Sequence, residues 1–255
     1  MSSDAVLYQR DGHVGVITLN RPDNRNSMTP ELLSAFRARA LEAAADSEAR
    51  CVVITGTGRC FSAGADFNSQ IQAEGDGKTL MPHEASFEMY TPFLTVLDIE
   101  VPVIGALNGH TVGGGFGLSL VCDLRIANHE AKYGANFARL GLHPGMAIGY
   151  LLPRIIGPIK AAELLFTGRL ISGEDAAELG LVNAAVSPEE VFPAAMSMAH
   201  EIAGNAPVAL RMMKRSFYEG LGWDVRTAAF HEAMAQAMTV NTEDAKEGIA
   251  ALLAK

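Results

Sequence analysis

Two glycine-bearing segments carry residues whose types and spacing could do chemistry: Phe61-Ser62-Ala63-Gly64-Ala65-Asp66 and Asn108-Gly109-His110-Thr111-Val112-Gly113-Gly114-Gly115-Phe116-Gly117. The first follows an apolar run over residues 51–55. The second follows another over residues 101–107 and opens into a helical run over residues 118–121. A helix that starts on glycine leaves backbone N–H groups unpaired and directs the positive end of its dipole at any nearby anion. Two such loops brought together form the halves of an oxyanion hole, able to hold a thioester oxygen as it becomes an enolate. Small residues suit that task, because a side chain would keep a ligand away from the backbone. The competing reading of Gly113-Gly114-Gly115 is a tight helix–strand contact, since glycine also permits close packing.

Other chemistries find no support. Gly56-Thr57-Gly58-Arg59-Cys60-Phe61 lacks the last glycine of a dinucleotide fingerprint, and the chain holds no P-loop, no Gly-x-Ser-x-Gly elbow and no His-Glu-x-x-His pair. Cys51, Cys60 and Cys122 are odd in number and lack a CxxC spacing, so they read as buried thiols rather than as disulfides or zinc ligands. A net charge of −9 and an isoelectric point near 5.3 argue against a nonspecific partner of nucleic acid or of an anionic membrane. An anionic ligand can still bind where cations gather. The stretch Asn20-Arg21-Pro22-Asp23-Asn24-Arg25 offers two arginines suited to phosphate. Arg25 is the better candidate, because Arg21 alone reads as a polar turn residue.

The elements that must position these groups are legible in part. With 255 residues, 49% of them hydrophobic, and a mean hydropathy of +0.15, the chain can bury a substantial core. Its apolar runs are too interrupted to span a membrane, and residues 1–6 lack the features of a secretory signal, so a cytoplasmic protein is expected. Residues 6–19 read as a hairpin. Thr29-Pro30-Glu31 caps a helix reaching residue 45, and a strand over 51–55 completes a β-β-α-β opening. Residues 69–82 lack periodicity and read as a loop or lid. A helical pattern over 83–98, the strand at 101–107, the glycine loop with its helix, and a strand near 123–127 extend an α/β core. From residue 188 the pattern is wholly helical, over 193–203, 207–219, 225–239 and 243–254.

The two glycine loops, Asn20-Arg21-Pro22 before them and Leu140-Gly141-Leu142-His143-Pro144-Gly145 after them, together resemble the enoyl-CoA hydratase/isomerase (crotonase) family over nearly the whole chain. The resemblance implies an α/β fold, a crotonase-like spiral of β-β-α units over residues 1–187. It also implies a helical region over 188–255 that packs homotrimers, often paired into homohexamers. It further implies an acyl-CoA thioester as ligand, with CoA as part of the substrate and no separate cofactor or metal. The oxyanion N–H groups would be those of Ala65 and Gly114. Arg21, Arg25, Ala63, Ala65, Asp66 and Phe67 would line the CoA site, with the Ala63 carbonyl facing the adenine amino group. Asn68, Gly117, Phe137 and His143 would line the substrate pocket, although Asp66 could instead cap the turn that follows it.

The chain departs from its family at two positions. Standard hydratases carry glutamates where this sequence has Gly117 and Phe137, and neither residue can transfer a proton. A dry, apolar wall is expected there in place of an activated water. His143 is the substitute acid or base, weighed against a structural histidine bonded to a backbone carbonyl. Asn136, Arg139 and Glu88 are further polar candidates, whereas His110 is expected to pack beneath the second loop and Asp123 to anchor structure. The leading expectation is an acyl-CoA lyase or isomerase of the crotonase type that stabilises an enolate without two-glutamate hydration. A non-catalytic acyl-CoA binding or carrier protein is the alternative. A helical scaffold ranks last, because it ignores both loops.

Overall fold

A computed structural model describes residues 5–65 and 81–254. Asp66, Phe67, Asn68 and the loop expected over 69–82 fall outside those residues, except that Pro82 already begins a helix. The hairpin forms as expected: β1 (Val6–Asp11) and β2 (Val14–Leu19) pair antiparallel, and Gly12 makes their turn at a left-handed φ of 57°. From there every strand pairing of the large sheet is parallel. Strand β2 joins β3 (Cys51–Gly56), β3 joins β5 (Val103–Leu107), β5 joins β7 (Leu124–Asn128), and β7 joins β9 (Ala184–Val186).

The strands skipped in that order build a second sheet. Strands β4 (Cys60–Ser62), β6 (His110–Val112) and β8 (Tyr133–Gly134) lie side by side in parallel. The chain thus gives one strand to the large sheet and one to the small sheet in each turn, and then advances. This is the β-β-α spiral in physical form. Two- and three-residue strands carry too little alternation to be read from sequence, which explains why the small sheet was not anticipated.

Both faces of the large sheet are covered. Val52, Ile54, Val103 and Leu107 point to one side, and Cys51, Val53, Ile104 and Ala106 to the other, following the two-residue period of a strand. Helix α1 (Pro30–Ala45) covers the first side with Leu32, Leu33, Phe36, Ala40 and Ala43. Its Thr29 cap accepts from the Leu32 N–H at 3.2 Å. Helix α2 (Pro82–Leu94) locks onto α1 through Phe36 and Phe93, whose rings meet edge to face 4.8 Å apart. The second side is closed by a later helix, Val191–Ala203. Its residues Val191, Ala195, Ala199 and Ala203 recur every four positions and bring small side chains against the strands.

Between these lie the helices Gly114–Val121 (α3), Ile148–Ile156 (α4), Pro158–Thr167 (α5) and Gly173–Glu178 (α6). The chain ends in four helices close to their expected spans: Val191–Ala203 (α7), Pro207–Glu219 (α8), Val225–Thr239 (α9) and Glu243–Leu253 (α10). Asp123 anchors α8 to the sheet, the structural role expected for it. Its carboxylate accepts from the Val103 N–H at 2.7 Å and the Tyr218 hydroxyl at 2.6 Å, and it pairs with the Lys214 ammonium at 2.9 Å. Lys214 also donates to the Val101 carbonyl at 2.9 Å. Helices α9 and α10 bury no residue, and they leave Phe230, Met238, Leu252 and Leu253 exposed.

Asp123 joins a strand, a lysine and a phenol at a half-desolvated spot, so its loss leaves several groups unpaired together. Asp123→Ala is expected to lower unfolding free energy by about 2–4 kcal/mol in urea denaturation. An unchanged midpoint would show that α8 is held by its apolar contacts alone.

Candidate active site

The site is assembled by a short turn that precedes α1. Pro22–Asn24 forms one 3-10 turn, after which Arg25 and Asn26 both adopt left-handed backbone, at φ 61° and 53°. Asn26 is fully buried and uses its whole amide. It donates to the Thr57 carbonyl at 3.1 Å and the Cys60 carbonyl at 2.9 Å, and it accepts from the Arg21 N–H at 2.7 Å. An asparagine suits this place because it tolerates left-handed backbone and carries both donors and an acceptor. The turn is then stitched to the first glycine loop. The Ala63 N–H donates to the Arg25 carbonyl at 3.0 Å, Met28 N–H to the Gly64 carbonyl at 2.8 Å, and the Ser62 hydroxyl to the Asn26 carbonyl at 2.8 Å.

The second loop arrives from the neighbouring turn of the spiral. Gly113, at φ 59°, donates its N–H to the Gly134 carbonyl at 3.0 Å, and α3 starts at the next residue. Gly64, at φ 84°, faces it so closely that a β-carbon there would lie 2.7 Å from the Val112 carbonyl oxygen and 2.8 Å from the Gly114 nitrogen. Only bare backbone fits between the loops. Gly115 serves the packing purpose weighed for these glycines, since a side chain on it would collide with Ser62. Gly114 opens α3 and so has no intrahelical acceptor for its N–H. The N–H of Ala65 likewise has no partner among the described residues. Among the described residues, therefore, neither the Gly114 N–H nor the Ala65 N–H is paired, and one belongs to the Gly64–Gly114 contact while the other follows it in sequence.

Beyond those donors the wall is apolar. The Phe137 ring tip lies 3.7 Å from the place of a β-carbon on Gly113, and the Met28 thioether occupies the place of one on Gly114. A β-carbon on Gly117 would collide with the β-carbon of Met146 and lie 3.1 Å from its γ-carbon. The space beside Gly117 is thus filled by Met146, which is 2% exposed. The atoms around Gly117 are thus apolar, and Phe137 is partly buried. His143 is exposed, and its Nδ1 lies 2.8 Å from the Pro144 carbonyl oxygen. A carbonyl only accepts, so Nδ1 is the donor in this contact. Arg139 is tied away through its Nε to the Thr167 carbonyl at 3.1 Å.

On the other side of Ala63 opens a cavity of about 800 Å³, lined by Arg25, Arg59, Lys132, His110, Asp23, Ala63 and Val112 among others. Three cations and one carboxylate make it locally basic in an acidic chain. Of the two arginines weighed for phosphate, Arg25 lines this cavity, whereas Arg21 pairs with Glu31 at 2.5 Å. His110 is exposed at the cavity rather than packed beneath the loop, because its Nδ1 accepts from the Lys132 N–H at 3.0 Å. Arg59 and Lys132 went unnoticed in sequence. They lie just before β4 and β8, and His110 begins β6, so the parallel register of the small sheet brings all three to one edge. Burial raises the pKa of the Cys60 thiol although Arg25 and Arg59 pull the other way, which leaves it neutral and a poor nucleophile. Burial pushes Cys51 and Cys122 up to about 12, consistent with inert thiols. Among the described residues no group of three potential ligands could hold a metal ion. No helix among them is long and apolar enough to cross a membrane.

The fold has counterparts among known proteins. The family model for enoyl-CoA hydratase/isomerase matches residues 9–255. YngF of Bacillus subtilis is 36% identical over 255 residues, covering 99% of this chain and 96% of that protein. The short-chain-enoyl-CoA hydratase of Clostridium acetobutylicum is 33% identical, covering 100% of this chain and 97% of its own. The crystal structure of an enoyl-CoA hydratase from Bacillus anthracis superposes with a TM-score of 0.89 at 33% identity, covering 97% of this chain and 95% of that one. The chain belongs to the enoyl-CoA hydratase/isomerase family and has the crotonase fold.

The contact between Gly117 and Met146 makes a stability prediction. Gly117→Ala is expected to cost about 1–3 kcal/mol by overpacking. Adding Met146→Gly to it should recover most of that loss, giving a coupling of about 1 kcal/mol or more in thermal denaturation. Strictly additive effects would mean that the two positions do not share the space.

Proposed function

We propose that the chain binds an acyl-CoA thioester and stabilises its enolate. The cavity of Arg25, Arg59 and Lys132 takes the nucleotide and phosphate end, through charge-assisted hydrogen bonds. The thioester carbonyl sits between the N–H groups of Ala65 and Gly114. CoA enters as part of the substrate, with no separate cofactor. The observation that supports this reading is the bare backbone contact of Gly64 with Gly114, near a basic cavity that Ala63 and Val112 help to line.

The reaction belongs to the hydratase/isomerase class but is not water addition by two glutamates. Gly117 and Phe137 offer no proton-transfer group, and Met146 fills the space beside Gly117. His143, with Nε2 unengaged by its bond to Pro144, is the acid or base. The exposed apolar faces of α9 and α10 support self-association as a homotrimer or homohexamer. The acidic balance of the chain fits a cytoplasmic enzyme with no nucleic-acid or membrane partner.

The test incubates the protein with short, branched and aromatic acyl-CoA thioesters in deuterated water and follows their mass. Deuterium at the α-carbon is expected, with Gly64→Ala and Gly114→Val each lowering the exchange rate by about a hundredfold to a thousandfold. His143→Ala should slow exchange by a similar factor while leaving acyl-CoA binding intact. Binding without exchange for every thioester would replace the enzyme with an acyl-CoA carrier. Arg25→Glu should weaken binding of CoA itself by about tenfold or more, read by calorimetry.

A further inference from the structure

Three loops make the same move in consecutive turns of the spiral, each leaving a strand of the large sheet for a strand of the small one. Residues 57–59 link β3 to β4, residues 108–109 link β5 to β6, and residues 129–132 link β7 to β8. Each loop delivers one member of the basic cavity: Arg59, His110 at the start of β6, and Lys132. Arg59 and Lys132 form no ion pair among the described residues, and like charges gathered in one recess repel. The loops that carry them must be held together by other bonds.

Asn108 supplies those bonds. Its Oδ1 accepts from the Gly56 N–H at 3.1 Å and its Nδ2 donates to the Gly58 carbonyl at 3.0 Å, so the amide closes on the loop that bears Arg59. On the other side its main-chain carbonyl accepts from Asn128 Nδ2 at 3.0 Å. The Asn128 Oδ1 in turn accepts from the Glu130 N–H at 2.9 Å, inside the loop that bears Lys132. Gly109, the next residue, passes so close to the Arg59 carbonyl that a β-carbon on it would collide there. The His110 N–H then donates to that carbonyl at 3.2 Å. An amide suits position 108 because it carries a donor and an acceptor together, and an alanine there would release both ends of the Arg59 loop.

We propose that Asn108 is a positioning residue of the basic recess, tying the loops of Arg59, His110 and Lys132 into one unit and so setting the spacing of the cations that receive the ligand's phosphates. This rests on the acyl-CoA reading of the same site. Cations fixed in advance lose less freedom when an anion arrives, so the benefit of Asn108 is felt in affinity as well as in stability.

The experiment is calorimetric titration of the full chain with CoA and, as a probe of the recess alone, with inorganic pyrophosphate. Asn108→Ala, Arg59→Ala and the double variant are compared at a temperature where urea denaturation shows each to be folded. Asn108→Ala is expected to weaken both ligands by about tenfold. In the double variant Arg59→Ala should add little to that loss, because Arg59 is already displaced when Asn108 is gone. Should Asn108→Ala fail to fold, Asn128→Ala cuts the link on the other side, and its coupling with Lys132→Ala carries the same test. Unchanged affinities in the folded variant, or losses that simply multiply in the double variant, would make Asn108 a purely structural residue and overturn the proposal. A wild type that binds pyrophosphate but not CoA would remove the acyl-CoA reading, while the pyrophosphate series still decides the role of Asn108. Binding of neither would overturn both.

Discussion

Everything at the site depends on one steric condition, the approach of two backbones at Gly64 and Gly114 with no side chain between them. A single added carbon at Gly64 would meet a carbonyl oxygen and an amide nitrogen, neither of which can swing aside. The rest of the local structure exists to hold that approach. Asn26 fastens the turn before α1 to the ends of β3 and β4, and the turn in turn holds the first loop through Ala63, Gly64 and Ser62. The second loop is held from the other side by Gly134 of the next spiral turn. Helix α3 then contributes its dipole to a place already defined by hydrogen bonds. Preorganised donors of this kind need no rearrangement when charge develops on a bound oxygen.

The small sheet does a second job that its size does not suggest. Its three strands begin at nearly the same level, so residues that precede them in sequence by long intervals become neighbours. Arg59, His110 and Lys132 reach the rim of one cavity by that route. A chain with strong negative net charge can in this way present a basic recess without a basic segment anywhere in its sequence. Long-range attraction of an anion is weak on such a surface, so recognition rests on contacts made once the ligand has arrived.

How much was legible follows the strength of each local signal. The hairpin, the capped helix after Thr29, the apolar strands and the four closing helices announce themselves by period or by capping residues, and they lie close to where the sequence puts them. The two glycine loops were legible as a close backbone approach because glycine clusters after strands have few structural uses. Strands β4, β6 and β8 were not, because their position is imposed by pairing with the preceding turn and not by their own residues. Arg59 and Lys132 were hidden for the same reason, and His110 was misplaced beneath the loop it borders. Gly117 and Phe137 could be recognised as lacking proton-transfer groups. That Met146 occupies the space beside Gly117 could be seen only in three dimensions, since nothing in the order of residues links the two positions.

The interlock of Gly117 with Met146 also bears on the history such a chain can have. Once a bulky side chain has settled into the space beside a glycine, the glycine can no longer regain a side chain by one substitution without passing through a crowded, less stable molecule. Residues 117 and 146 are therefore mutually dependent, and a side chain is tolerated at 117 only where residue 146 is made smaller first.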